Sequence, residues 1–257
     1  MFNDLQGKRI LITGSTAGIG LAAAKAFIRS GAKVGINGSR NESCQKAREE
    51  LAALGGDVEF FVADVSKSEQ CETLVNAFVE RFGGMDVLIN NAGGLGGRRG
   101  LEAIDDEFYD HVMNLNARSA MMVTKFAIPH LRAAAKASGK TTSVISSGSI
   151  AGREGGGMGA SLYASSKAWL HNMHRNWVKE FTKDNIRFNV VAPGSIDTAF
   201  HSDKSQELIE KISSTIPMGR FGTSEEVAPT YLFLASHACS GYITGQIIDV
   251  NGGQMAP

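Results

Sequence analysis

Thr13-Gly14-Ser15-Thr16-Ala17-Gly18-Ile19-Gly20 decides how this chain folds, because it joins two stretches of different period. Before it, residues 8–13 (KRILIT) form a short apolar run of strand length. After it, residues 18–30 carry a helical apolar pattern that stops at Gly31. A strand that turns through glycines into a helix presents the helix's unpaired N–H groups and the positive end of its dipole, which together cradle a phosphate. The glycines permit the sharp turn, the approach of a diphosphate and close packing of helix on strand. The loop therefore predicts a dinucleotide site, with Gly14, Ser15, Thr16, Gly18, Ile19 and Gly20 as cofactor-binding residues.

The same alternation continues in both period and length. Strands are expected at 32–37, 58–63, 85–90, 143–147, 186–191 and 246–250. Helices are expected at 42–54, 66–82 and 105–115, the last running on into 117–137 and stopping near Gly139. Strands separated by helices imply right-handed crossovers and a parallel sheet covered on both faces. The prediction is one doubly wound α/β domain over residues 1–257 with a predominantly parallel, seven-stranded sheet. No proline-rich linker, repeat or composition break divides it. Ligands of such sheets bind beyond the carboxyl ends of the strands. Gly14, Asp64, Asn91, Ser149 and Pro193-Gly194 all fall there.

Bulk properties narrow the function. The 257 residues carry 26 Lys+Arg and 26 Asp+Glu, a formal net charge of zero, so no basic field recruits nucleic acid or an anionic membrane. Cys44, Cys71 and Cys239 are widely spaced and include no CxxC pair, which fits a reducing compartment. His171 and His174 have helical spacing, but no third ligand stands near them, and no metal is expected. There is no signal-peptide pattern or membrane-length apolar run, so a cytoplasmic protein is expected.

Tyr163-Ala164-Ser165-Ser166-Lys167 sets a phenol and an ammonium four residues apart, on one face of a helix. A neighbouring cation favours the ionised phenol and makes it a usable acid and base near neutral pH. Together with the G-x-x-x-G-x-G spacing of the loop, this pair resembles the short-chain dehydrogenase/reductase family. Further matches are Asp64-Val65, Asn90-Asn91-Ala92-Gly93, and Pro193-Gly194-Ser195-Ile196-Asp197-Thr198. Pro217-Met218-Gly219-Arg220-Phe221-Gly222, Glu225-Glu226-Val227-Ala228 and Gly245 to Gly252-Gly253 complete a resemblance that spans essentially the whole chain.

The resemblance implies a Rossmann-fold oxidoreductase that interconverts a secondary alcohol and a ketone by hydride transfer. In it Tyr163 is the general acid/base, and Lys167 lowers its pKa and binds the nicotinamide ribose. Ser149 holds the substrate oxygen, with Ser147 as the alternative. Asn116 holds a water that relays protons, with Asn114 two residues away in register. Asp64 and Val65 flank the adenine, and Asn91, Ala92 and Gly93 the adenosine side. Pro193, Gly194, Ile196 and Thr198 close over the nicotinamide and phosphates. Where an acid would favour NAD, the second strand ends Asn37-Gly38-Ser39-Arg40; Ser39 and Arg40 suit a 2′-phosphate, so NADP is favoured.

Substrate identity is open between a 3-oxoacyl thioester and a polyol or sugar. Residues 194–216 are expected to form a substrate lid, with His201 as a possible entrant to the pocket. Arg98, Arg99 or Arg153 could hold an anionic group, although solvated loop arginines are the simpler reading. The resemblance implies a homotetramer, and Met121, Met122, Phe126, Trp169 and Trp177 exceed one buried stripe. The competing class of function is a catalytically silent dinucleotide-binding redox sensor.

Overall fold

In the computed structural model, which describes residues 2–198 and 205–256, the chain forms one seven-stranded sheet with every pairing parallel. The strands are β1 (Arg9–Ile12), β2 (Lys33–Gly38), β3 (Val58–Val62), β4 (Val87–Asn90), β5 (Thr142–Ser147), β6 (Ile186–Pro193) and β7 (Ile247–Val250), in the order β3-β2-β1-β4-β5-β6-β7. The order reverses between β1 and β4, which opens a crevice at their carboxyl ends.

Strand alternation divides the core in two. Ile10 and Ile12 of β1, Val87 and Ile89 of β4 and Ile145 of β5 face α1 (Gly18–Arg29), α2 (Asn41–Leu51) and α9 (Ser224–Ala235). Leu11, Leu88 and Val144 point the other way, onto α3 (Ser68–Phe82), α5 (Ser119–Ser138) and α7 (Ser161–Phe181). Phe27 on one side and Phe78 on the other are fully buried, each stabilising the fold by about 1.5–3 kcal/mol. Helix ends follow local chemistry: Gly83 and Gly139 close α3 and α5 in the left-handed region, and a Thr223–Glu226 capping box opens α9.

The differences from expectation are local. The helix expected at 42–54 tightens into a 3-10 turn, Ala52–Leu54, after Leu51. The long helical stretch is α4 (Asp106–Met113), a π-helical segment Asn114–Arg118, and then α5. Two short helices, α6 (Ala151–Glu154) and α10 (His237–Ser240), carry too few residues to show a period. The remaining helix, α8 (Gln206–Ser213), lies within the expected lid. Residues 199–204, including His201, lie outside the described residues. No described helix is long and apolar enough to cross a membrane.

Candidate active site

The carboxyl ends of the strands open into a cleft of about 1240 Å³. Every residue expected to contact the cofactor lines it except Ser15. Ser15 is fully buried; its hydroxyl donates to the Ile12 carbonyl (2.7 Å) and accepts from the Asn37 amide (3.1 Å). It shapes the loop from behind.

Asn37 is the matching device on β2. Its Oδ1 accepts from the Gly14 amide (3.2 Å), and its Nδ2 donates to the carbonyls of Phe61 (3.2 Å) and Ala63 (3.1 Å). The turn also touches β4. A Cβ on Gly14, whose φ is +59°, would stand 2.7 Å from Ala92 Cα. Asn91 Nδ2 donates to Gly14 O (2.8 Å), while Thr13 Oγ1 accepts from the Asn91 and Ala92 amides, both at 3.0 Å. Helix α1 starts at Gly18 with no side-chain cap and no acidic residue in its first turn, so its first N–H groups face the cleft unneutralised. That donor set fits a diphosphate.

At the β2–β3 end, Ser39 and Arg40 are exposed, and among the described residues no carboxylate pairs with Arg40. Gly38 is enclosed: a Cβ there would lie 2.6 Å from Thr16 Cγ2. Asp64 Oδ1 accepts from the hydroxyl (2.7 Å) and amide (3.1 Å) of Ser66, a turn between β3 and α3 and not the α3 cap, which is Lys67.

The other end of the cleft gathers the chemistry. Tyr163 and Lys167 lie on α7, with the Lys167 Nζ 5.7 Å from the Tyr163 ring centroid. Lys167 is buried, and Nζ donates to the Ser147 carbonyl (2.8 Å). Burial pushes its pKa down to about 8. The Tyr163 phenol is held above its ordinary value by burial, opposed by a hydrogen bond with the Ser149 side chain. Desolvation is the larger influence on this phenol, and the group that lowers it is Ser149.

The serine alternatives separate. Ser149 is at the Tyr163 hydroxyl, and its Oγ also accepts from the Ala151 amide (3.1 Å). Ser147 Oγ is committed to Tyr231 Oη (2.6 Å) and Asn91 Oδ1 (3.2 Å). The asparagines separate as well. Asn116, fully buried in the π-helical segment, bonds the Gly94 backbone in both directions (3.0 and 2.9 Å) and donates to Val112 O (2.9 Å). It sits beside Lys167, since a Cβ on Gly93 would be 2.7 Å from Asn116 Oδ1 and 3.0 Å from Lys167 Nζ. Asn114 instead accepts from Arg118 Nε (2.6 Å), away from the cleft. Arg99 pairs with Asp105 (2.7 Å), and Arg153 with Asp249 (2.7 Å); Arg98 alone of the three lines the cleft.

A family model described as enoyl-(acyl carrier protein) reductase matches residues 14–255. The chain is a short-chain dehydrogenase/reductase. Among the curated members of the family, the 3-oxoacyl-[acyl-carrier-protein] reductase FabG of Thermotoga maritima is 36% identical over 249 residues, covering 97% of this chain and 98% of that one. Among solved short-chain dehydrogenase/reductase structures, an NADH-dependent reductase A1-R′ responsible for alginate metabolism is 62% identical, with a TM-score of 0.90, covering 99% of this chain and all of that one. The same reductase has been solved in complex with NAD. Pseudomonas aeruginosa RhlG, in an NADP active-site complex, is 33% identical with a TM-score of 0.90, covering 99% of each chain.

Two features of this family member escaped the sequence reading. Tyr231 of α9 is fully buried and ties Ser147, and through it Asn91, to the far side of the sheet. A lone tyrosine in an apolar helix gives no signal of such a bond. His171, one helical turn after Lys167, is buried against Gly148 and Gly152 behind Ser149; burial pushes its pKa down to about 4. Among the described residues no group of three His, Cys, Asp or Glu side chains gathers as a metal site.

Proposed function

We propose that this protein is a nicotinamide-dependent reductase of a ketone, with NADP(H) as the preferred carrier. The observation that carries the proposal is the meeting of Tyr163, Ser149 and Lys167 at one end of a cleft whose other end is an uncapped helix terminus. The bound nicotinamide supplies the hydride. Ser149 donates a hydrogen bond to the substrate carbonyl oxygen, and Tyr163, kept protonated by burial, delivers the proton that completes the alcohol. Lys167 contributes a buried positive charge that stabilises the tyrosinate left behind, and its Nζ is oriented by the Ser147 carbonyl. Asn116 fixes the Gly93–Gly94 backbone beside Lys167 and offers Oδ1 to a proton-relaying water.

The preference for NADP(H) rests on Arg40, exposed at the cleft and without an acidic partner among the described residues, and on the absence of an acid at Gly38. On the substrate side, the 62% identical reductase serves alginate metabolism, which supports a sugar-derived ketone over a 3-oxoacyl thioester. Ile212 and Thr215, in and just after α8, line the cleft and are assigned to a lid within residues 194–216. Met121 is exposed and Met122, Phe126 and Trp169 are half-buried on α5 and α7, which supports a homotetramer joined through these helices; Trp177 belongs to the core.

The test is cofactor oxidation with a ketone panel, for the native protein and Tyr163→Phe. The variant should lose about 10²–10⁴-fold in kcat while keeping its affinity for NADPH. Undiminished turnover would remove Tyr163 from the mechanism. Cofactor binding without turnover of any ketone would favour the redox sensor.

A further inference from the structure

We infer that Arg98 is the carboxylate-binding residue of the substrate end of the cleft, so that the ketone reduced is an oxo acid; this rests on the reductase reading above. The argument begins with the backbone. Between Asn91 and the 3-10 turn Leu101–Ala103 the chain has no regular structure, and Gly96 and Gly97 turn it with φ of +70° and +132° just before Arg98. The loop is then latched to the one that follows α6. Arg98 Nη1 donates to Met158 O (2.8 Å), and the Arg99 amide donates to Gly159 O (3.1 Å). Gly159, at φ +73°, fits because a Cβ there would lie 3.2 Å from Arg98 Cβ. Among the described residues, Arg98 is therefore fixed at the rim by a single side-chain hydrogen bond, to a neutral carbonyl.

That bond uses little of a guanidinium's donor capacity. The neighbouring arginines show what a satisfied guanidinium looks like here. Arg99 is paired with Asp105 and stacked 4.5 Å over the Phe108 ring, and Arg153 is paired with Asp249. Among the described residues Arg98 has no carboxylate within ion-pair range, although Glu154 lines the same cleft. His111 lines this end too, and a Cβ on Gly96 would be 3.2 Å from its ring, so the loop's turn rests on that histidine. A cation with planar donors to spare, set on a cleft wall, matches a carboxylate in charge and shape. Alginate is a polyuronate, so every fragment derived from it carries that group.

The experiment has two arms. The first compares oxo acids from pyruvate to 5-oxohexanoate, each beside its methyl ester, with native protein, Arg98→Gln and Arg98→Lys. The native protein should prefer at least one acid over its ester by tenfold or more in kcat/KM. Arg98→Gln should lower that ratio at least tenfold, mainly through KM for the acid, and Arg98→Lys should restore part of it. The second arm titrates methyl β-glucuronide and methyl β-glucoside into the NADPH complex by calorimetry. Tighter binding of the glucuronide should be present in the native protein and lost in Arg98→Gln. Equal use of acids and esters by the native protein, or an equal loss on both in Arg98→Gln, overturns the assignment. So does a glucuronide no better bound than the glucoside. Glucuronide binding that depends on Arg98, with no ketone reduced, would sustain the subsite and overturn the reductase reading.

Discussion

The two ends of the cleft are built on different principles. At the cofactor end the backbone is locked from behind by buried polar side chains: Ser15 and Asn37 hold the turn after β1, and Thr13 and Asn91 bind it to the end of β4. Each of these groups, unpaired and away from water, would cost about 1–3 kcal/mol. At the substrate end two exposed, glycine-rich loops hold each other through contacts such as Arg98 to Met158 O and Arg99 N to Gly159 O. The first arrangement resists change; the second lets side chains vary without disturbing the fold. A shared carrier with different substrates follows from that division.

The sharpest way to break the comparison is to add one methyl group at each end. A Cβ on Gly20 would lie 2.4 Å from Asn91 Nδ2 and 2.6 Å from Gly14 O, both parts of the locked network. Gly20→Ala should cost about 3 kcal/mol of stability, the upper range for overpacking, and weaken cofactor binding with it. A Cβ on Gly100 meets nothing within 4 Å, and its φ of −66° suits any residue. Gly100→Ala should stay within about 0.5 kcal/mol of the native protein. Chemical denaturation of the two variants checks both, and similar losses would erase the distinction.

A second effect probes the ground behind Ser149. His171 is neutral in the folded protein because burial, aided by the charges of Arg153, Lys167, His174 and Arg175, holds its pKa at about 4 against an ordinary 6.5. The unfolded chain therefore takes up this proton first as the pH falls. The stability linked to His171 is complete above pH 6.5 and is lost progressively down to pH 4, roughly 2 kcal/mol of it by pH 4.5. His174, also lowered by burial, adds to the same acid limb. Melting temperatures of His171→Gln measured from pH 7 to 4.5 should fall less steeply than those of the native protein. Parallel curves would mean that this ring does not supply the acid sensitivity.

How much of this was legible in sequence follows the same boundary. The turn Gly14–Gly20, the strand ends at Asp64 and Asn91 and the Tyr163–Lys167 pair could be read because backbone geometry and helix spacing require particular residues at particular intervals. Ser149 was preferred to Ser147 through the family resemblance alone; that a distant helix, through Tyr231, occupies the second hydroxyl could not be read. Nor could the direction of the Tyr163 shift, which depends on burial that no local pattern encodes. Ser15 was placed among the cofactor contacts by its position in the loop; its side chain points into the protein. Asn116 was readable as a residue, but the π-helical segment that aims it at Gly94 was not.

The smallest effect tests whether the locked end is locked throughout. Arg40 belongs to the cofactor end by position, at the start of α2, yet it is exposed and, like Arg98, has no carboxylate partner among the described residues. Its neighbour Gly38 is enclosed by Thr16, Ser43 and Cys44, so an acid cannot be accommodated there without moving them. On the proposed reading, discrimination between carriers is left to side chains at the rim. The 62% identical reductase is NADH-dependent and was solved in complex with NAD. The contact added by Arg40 would be one solvent-exposed, charge-assisted bond. Such a bond supports a change of about tenfold, near 1.4 kcal/mol. Arg40→Ala should raise KM for NADPH by about that factor and leave KM for NADH within about twofold, with kcat little altered because the residue is remote from Tyr163. Equal changes for the two carriers would show that Arg40 does not read the phosphate, and that the preference is set by the shape around Gly38 and Thr16.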